Sequence, residues 1–223
     1  VSFFDEPRRL GFKNMRPELE TDVGGCAVRY ESIESTADGF AAEGPVGRTF
    51  LRCRTECRTG GAGDRLELAH RISNPSGHAV RIAEIVTRPC AESGGVWLGR
   101  ANGWDLRFFH TDNVRTERYP YCQMESPYVQ NLPVELVHKG RGEDQPFPAI
   151  GFTDRGYRDG FVFAALGQER TFQSWRFRRA ARPVAGDLAR FEIVHELPMC
   201  ATFVLEPGAE LALDDTFVQM QAD

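Results

Sequence analysis

The sequence has no long hydrophobic run. Its longest apolar stretch, around Phe161 to Leu166, has the length of a β-strand, whereas a membrane-spanning helix needs about 20 apolar residues. The first residues lack the basic region, apolar stretch and small-residue cleavage site of a secretory signal. We therefore predict no membrane partner. Because the chain begins with Val1 rather than Met, its location stays open, with the cytoplasm favoured over export.

Lysine is scarce in this chain. Lys13 and Lys139 are the two lysines among 27 basic residues, and the formal net charge is −5. The arginines are scattered, and the densest group is Arg176, Arg178 and Arg179. Nucleic-acid binding requires a stripe of positive charge that neutralises successive phosphates. The sequence therefore predicts no nucleic-acid partner and indicates that most charged residues cover solvent-exposed strand faces.

The six cysteines lie far apart in a chain large enough to fold without disulfides. Cys53 and Cys57 have a CxxxC spacing, but no second Cys/His pair follows at ligand spacing, and a structural zinc site needs four converging ligands. Their context, LRCRTECRTG, is typical of a strand that runs into a glycine loop. We predict reduced, buried cysteines and no metal, with a Cys53–Cys57 disulfide left open as the alternative for an exported protein.

Motifs of several enzyme classes are missing. The sequence contains no GxSxG, GxGxxG, GxxxxGK[ST] or HExxH motif, so no cofactor is predicted. The five histidines also lack metal-ligand spacing. His70 and His195 lie in alternating patterns, which favours core or rim positions. His110, close to Asp112, is the histidine with a candidate functional role, because imidazole titrates near neutral pH.

Short stretches of alternating apolar and polar residues dominate the chain and predict half-buried β-strands. Leu66, Leu68 and Ile72 share one face of such a strand, and Asn74-Pro75-Ser76-Gly77 predicts the turn of a hairpin whose second strand starts at Val80. Further strands are predicted over Trp104–Phe108, Ala149–Thr153, Phe161–Ala165, Thr171–Phe177, Phe191–His195 and Ala201–Leu205.

Roughly ten to fourteen short strands without an interior helix predict an all-β fold, a large antiparallel two-sheet sandwich. No fixed-period repeat or linker divides the chain, so residues 1–223 are predicted to form one domain. The stretch from Tyr119 to Pro148 contains five prolines, which exclude central strands there. A long, rigid excursion from a sandwich is a suitable place for a binding or interface surface.

Acidic and aromatic residues near this excursion form the candidate site. Asp112 and Glu117, in HTDNVRTERYPY, are of the type that glycoside hydrolysis uses, although solvent-exposed strands carry similar carboxylates. Aromatic faces can pack on the C–H surface of a sugar while charged neighbours bind its hydroxyls. For Trp175, a position in the inter-sheet core is as well supported as contact with a sugar. The candidate substrate-binding residues are Trp97, Trp104, His110, Asp112, Arg115, Glu117, Tyr119 and Tyr128.

Four segments together resemble the N-terminal domain of glycoside hydrolase family 36, the melibiase-like α-galactosidases. They are HTDNVRTERYPYCQMESPY, EDQPFPAIGFTD, GFVFAALG and TFVLEPGAELALDDTFV. The resemblance begins near Leu66 and includes the hairpin-like LELAHRISNPSGHAVRIAEI, the Arg115–Glu117 pair and a closing LEPG hairpin. It implies a β-supersandwich, the fold shared with the galactose mutarotases. It also implies a (β/α)8 barrel after Asp223 that would carry both catalytic aspartates, so no catalytic residue is assigned in this chain.

The resemblance implies a non-catalytic domain of an α-galactosidase-like enzyme that acts on a galactoside-like carbohydrate. Its partners would be the catalytic barrel of the same protein, the carbohydrate and a second subunit in a homo-oligomer. One alternative is a stand-alone carbohydrate-binding or mutarotase-like protein acting on free sugars. For the mutarotase family, the chain is short and lacks an alignable His and Glu motif. Another is a structural assembly domain without sugar contact.

Overall fold

The structure is a computed structural model, and all elements of its described residues are β-strands, which confirms the all-β prediction. Within the described ranges, no helix is long and apolar enough to cross a membrane. The described residues are 3–5, 10–12, 15–60, 65–88, 96–98, 107–110, 135–138, 149–153, 160–167, 169–179, 189–196 and 202–221.

Nineteen strands occur in these ranges. The prediction of ten to fourteen was too low, because strands of three residues are too short to show a period of two. In chain order they are β1 (Phe3–Asp5), β2 (Leu10–Phe12), β3 (Arg16–Thr21), β4 (Gly24–Ala27), β5 (Ser32–Thr36), β6 (Gly39–Pro45), β7 (Arg52–Gly60), β8 (Arg65–Ser73), β9 (Val80–Arg88), β10 (Val96–Leu98), β11 (Arg107–His110), β12 (Glu135–His138), β13 (Ala149–Thr153), β14 (Gly160–Ala165), β15 (Phe172–Arg179), β16 (Ala189–Glu196), β17 (Phe203–Leu205), β18 (Glu210–Ala212) and β19 (Thr216–Gln221).

One sheet has nine antiparallel strands. Eight lie in the order β11-β13-β14-β19-β8-β7-β6-β5, and β18 also pairs with β8. Strand β19 lies in the middle, where Thr216 pairs with Leu68 of β8 on one side and with Ala165 of β14 on the other. The C-terminal strand therefore joins the two halves of this sheet.

The opposing sheet has seven strands, in the order β12-β15-β16-β9-β3-β4, with β17 also paired to β9. Strand β12 lies within the proline-rich stretch and occupies an edge of this sheet, which agrees with the exclusion of central strands there. A small third sheet contains β1, β2 and β10. The two large antiparallel sheets form the predicted sandwich.

The core lies between the two large sheets. The alternation of side chains along each strand places apolar residues in this core. In β8, for example, Leu66, Leu68 and Ile72 are buried on one face while Arg65 and Glu67 are partly exposed on the other. Removal of this apolar surface from water, at about 25 cal/mol per Å², is the main favourable term that holds the sheets together. The main cluster of buried residues comprises Leu19, Cys26, Val28, Val46, Leu51, Cys53, Ile72, Val80, Ile82, Ile85, Leu205 and Leu213.

Two turns that the sequence assigns to hairpins instead connect the two sheets. The strand after the Asn74–Gly77 turn does start at Val80, but β8 belongs to the nine-stranded sheet and β9 to the seven-stranded sheet. The LEPG segment likewise joins β17 in one sheet to β18 in the other. Both hairpin predictions were wrong because strands of either sheet present the same alternating pattern to a shared core.

The Asn74 side chain holds the first of these crossings in place. It is fully buried, and its Nδ2 group donates to the carbonyl oxygens of His78 at 2.7 Å and Leu205 at 2.8 Å. Its Oδ1 atom accepts hydrogen bonds from the backbone N–H and the hydroxyl of Ser76. Gly208, with a φ of +74°, donates its N–H to the Asn74 carbonyl at 2.7 Å. The two crossing turns are therefore fastened to each other.

Replacing Asn74 with alanine is expected to lower the free energy of unfolding by about 2 kcal/mol, because buried carbonyl oxygens lose their donor. Urea unfolding followed by circular dichroism measures this change. Ser76→Ala removes hydrogen bonds at the more exposed rim of the same turn, and we expect a loss below about 1 kcal/mol. Equal losses in the two variants would contradict this role for the Asn74 amide.

Candidate functional site

The described residues include two of the eight predicted sugar-contact residues, and for these two the backbone alone. Trp97 is the central residue of β10 and pairs with Gly11, and His110 ends β11 and pairs with Ile150. The remaining six candidates lie outside the described residues; they are Trp104, Asp112, Arg115, Glu117, Tyr119 and Tyr128. The predicted sugar site thus stays a prediction.

A buried polar layer lies between the sheets. We use this name for Tyr30, Thr55, His70, Thr87 and His195. Thr55 Oγ1 is 2.9 Å from His70 Nδ1 and 2.6 Å from the Tyr30 hydroxyl, while Thr87 Oγ1 is 3.0 Å from His195 Nε2. Of the core or rim positions predicted for His70 and His195, the structure shows the core, with 1% and 2% exposure.

Both histidines in the buried polar layer are held neutral at ordinary pH. Burial, with a smaller contribution from the nearby His195, lowers the pKa of His70 to about 3. Burial also lowers the pKa of His195 to about 4, against a smaller raising effect from Asp214. Desolvation dominates because the charged imidazolium loses its hydration in an apolar interior.

A second buried group is centred on Asp214. Its Oδ2 atom accepts the backbone N–H groups of Arg170 at 2.8 Å and Thr171 at 2.7 Å. Gln173 Nε2 donates to the Asp214 carbonyl at 2.9 Å, and the Thr216 hydroxyl donates to Gln173 Oε1 at 3.2 Å. These contacts tie the start of β15 to the start of β19, and therefore one sheet to the other. Sequence reasoning missed this group, although the polar side chains at inward positions of β15 were a usable signal.

The CxxxC residues are interior thiols. Cys26, Cys53 and Cys57 are free and buried, so the Cys53–Cys57 disulfide is not formed. Burial raises the pKa of Cys53 to about 12, and it also raises the pKa of Cys57. A thiol that stays protonated at neutral pH is a poor nucleophile and a poor metal ligand. Among the described residues, no group of three or more His, Cys, Asp or Glu side chains could hold a metal ion.

Paired charges lie on the outward-facing side of β6 to β8 and β18 in the nine-stranded sheet. Arg52 Nε lies 2.8 Å from Glu43, and this hydrogen bond raises the pKa of Arg52. Arg71 lies 3.3 Å from Glu210. Such exposed pairs contribute about 0–1 kcal/mol each. The two signs balance locally, which fits the predicted solvated strand face.

The most strongly displaced pKa values among the described residues belong to interior groups. Cys53, His70 and His195 show the largest pKa displacements among the described residues, and burial is the main cause in all three. Perturbed groups serve catalysis when they line a cleft that substrate can enter. These three groups lie in the interior, where they can fix the relation between the two sheets.

Similarity to known proteins is found in the structure and not in the sequence. No family model matches the sequence, and no curated protein matches it. The GH36 alpha-galactosidase AgaB from Geobacillus stearothermophilus matches with a TM-score of 0.62 and 10% identity, over 95% of this chain and 30% of that chain. The alpha-galactosidase from Lactobacillus brevis gives a TM-score of 0.61 and 10% identity, over 95% and 29% of the two chains.

The galactosidase domain of the alpha-galactosidase-sucrose kinase AgaSK matches similarly, with a TM-score of 0.62 and 9% identity over 94% of this chain and 30% of that chain. The structural match thus begins well before Leu66, where the sequence resemblance starts. The chain spans about 30% of the length of these neighbours. At 9–10% identity, the comparison shows that this chain has the fold of one part of the GH36 alpha-galactosidases.

Proposed function

We propose that residues 1–223 form a single, non-catalytic N-terminal domain of an α-galactosidase-like glycoside hydrolase. The observation that carries the proposal is the fold match, which covers 95% of this chain but 30% of a GH36 alpha-galactosidase. The domain would support the catalytic barrel, the rim of the substrate site and the assembly of subunits. Its substrate, a galactoside-like carbohydrate, would be cleaved by the barrel.

Two further observations favour a supporting role. The most strongly perturbed titratable groups of the described residues are buried between the sheets, where solvent does not reach them. The outward-facing charges of β6 to β8 and β18 form local pairs such as Arg52–Glu43 and Arg71–Glu210, which suits a solvent-exposed surface. In this proposal, Trp97, Trp104 and the Tyr119–Tyr128 region are the places where the domain would contact the rim.

The coding sequence downstream of Asp223 tests the domain assignment. We expect the reading frame to continue into a (β/α)8 barrel that carries two catalytic aspartates. A stop codon directly after Asp223 would contradict the proposal and favour a stand-alone sugar-binding or mutarotase-like protein.

Activity assays on the purified 223-residue chain test the absence of catalysis. We expect neither hydrolysis of an aryl α-galactoside nor interconversion of galactose anomers above the rate without protein, and no saturable galactose binding in calorimetry. Hydrolysis lost on mutation of Asp112, Glu117 or His110 would overturn the proposal. Galactose binding lost in Trp97→Ala or Trp104→Ala, but kept in the control Phe50→Ala, would identify a binding module instead. Phe50 suits the control because it is 65% exposed and outside the candidate site.

A further inference from the structure

Two histidines face each other across the interior of the sandwich. His70 belongs to β8 of the nine-stranded sheet, and His195 belongs to β16 of the seven-stranded sheet. Their ring centroids lie 6.4 Å apart and the ring planes are perpendicular. Because the two side chains come from opposite sheets, their charge state affects the contact between the sheets directly.

Each ring is hydrogen-bonded at one nitrogen only. His70 Nδ1 is paired with Thr55, and His195 Nε2 with Thr87. In the described part of the chain, the buried His70 Nε2 and His195 Nδ1 atoms have no hydrogen-bond partner. A threonine hydroxyl can either donate to a bare ring nitrogen or accept from an N–H, so it accommodates the neutral ring in either tautomer. An imidazolium has two N–H groups, and its second one would find no acceptor here.

The groups around the pair offer little compensation for a positive charge. Asp214 is the acidic group that acts on His195, and its Oδ2 atom already accepts two backbone hydrogen bonds. On the side of His70, Thr55 also contacts the Tyr30 hydroxyl at 2.6 Å and the Cys53 thiol at 3.9 Å, both neutral groups. A proton on one ring would also repel a proton on the other.

We propose that His70 and His195 act as a proton-sensitive latch between the two sheets, closed while both rings are neutral and opened at the β8–β16 contact when either ring takes up a proton. In the open state the protonated ring reaches water, and the inward side chains of both strands lose their packing. Acidic conditions would therefore loosen this sandwich from its interior outward.

The direction of the pH effect follows from linkage. The pKa values of about 3 for His70 and about 4 for His195 lie below the ordinary value of 6.5, so the open or unfolded chain binds more protons than the closed one. Stability is then complete above pH 6.5 and decreases as the pH falls from 6.5 towards 4. In that window each histidine multiplies the unfolding constant by about ten for each pH unit lost.

The test is urea unfolding of the full chain between pH 7.5 and about 4.5, compared among three single variants. We expect His70→Gln and His195→Gln each to reduce the pH dependence of the unfolding constant by about tenfold per pH unit. The control His78→Gln, at an exposed position in the turn after β8, should keep the wild-type dependence. If both buried variants kept the pH dependence of the wild-type unfolding constant, the latch proposal would be overturned.

A second measurement uses the wild-type chain, in case a glutamine variant does not fold. Hydrogen exchange, corrected for the intrinsic pH dependence of amide exchange, should show protection in β8 and β16 falling below pH 6 before protection in the β5–β6 hairpin. While the sandwich is closed, the NMR chemical shifts of both histidine rings should remain those of neutral imidazole above pH 5. Rings that titrate near pH 6.5 in the folded protein, or a loss of protection that begins in the β5–β6 hairpin, would refute the proposal.

Discussion

Replacing Gly44 with alanine is expected to lower the free energy of unfolding by about 3 kcal/mol or more, within the range of severe overpacking. Gly44 is buried in β6 and pairs with Cys53. A Cβ atom added there would overlap the carbonyl oxygen of Arg29 and lie 2.8 Å from the Cα atom of Tyr30. Both neighbours are backbone atoms, which cannot rotate away as the end of a side chain can.

The close approach at Gly44 occurs where the chain passes from one sheet to the other. Val28 donates its N–H to Pro17 in β3, and the next residue, Arg29, donates to Pro45 in β6. A shift that relieves an added methyl group would therefore break a hydrogen bond to one of the sheets. This coupling is the physical reason for the large expected loss.

The matched control is Gly77→Ala, in the turn between β8 and β9. An added Cβ atom at Gly77 has no neighbour within 4 Å, and its φ is not positive. Alanine there should leave stability unchanged or raise it by about 0.5 kcal/mol through a less flexible unfolded chain. Thermal and urea unfolding of the two variants provide the comparison, and similar stabilities for both would contradict the steric argument.

Replacing Asp214 with alanine is expected to remove about 3 kcal/mol of stability, because one buried and one partly buried backbone N–H group lose a charged acceptor. These are the N–H groups of Arg170 and Thr171, at 2.8 and 2.7 Å. Hydrogen bonds to an ionised group are among the stronger ones in proteins, and orphaned buried donors carry a penalty of their own. Denaturant unfolding at pH 7.5 measures the loss.

Asp215, the next residue in the chain, offers the control because folding acts on its carboxyl group in a different way. Burial raises the pKa of its carboxyl group, which means that folding disfavours its charged form. Asp215→Asn should therefore leave stability unchanged or increase it slightly at neutral pH. If Asp214→Ala and Asp215→Asn had the same effect, the hydrogen bonds of Asp214 would not account for its role.

Alternation along single strands was sufficient to predict the fold class. Leu66, Leu68 and Ile72 are buried as expected, and β13 covers Ala149–Thr153 as expected. The assignment of strands to sheets could not be derived in this way, because a period of two shows which face is inward but not which partner lies alongside. The turns after Ser73 and after Leu205 were misassigned for this reason.

Prediction of the polar interior was partial. His70 and His195 were assigned to the core or its rim and lie in the core, but Thr171, Gln173 and Asp214 were not recognised, because polar residues at inward positions weaken the apolar pattern that marks a core. Their contacts join strands that are distant in sequence, and a single sequence does not reveal such pairings. The predicted sugar-contact side chains lie outside the described ones, so that part of the site stays a prediction.

On the ribosome, the nine-stranded sheet cannot close until β19 has been synthesised. Strand β19 connects two groups of strands within this sheet, β5 to β8 on one side and β11, β13 and β14 on the other. Strands β8 and β14 therefore lack their shared neighbour until Thr216–Gln221 emerges. Contacts between distant segments slow folding, and open strand edges promote aggregation. Until Thr216–Gln221 emerges, the facing edges of β8 and β14 therefore stay open to pairing with other chains, and the arrival of β19 sets the earliest time at which this sheet can close.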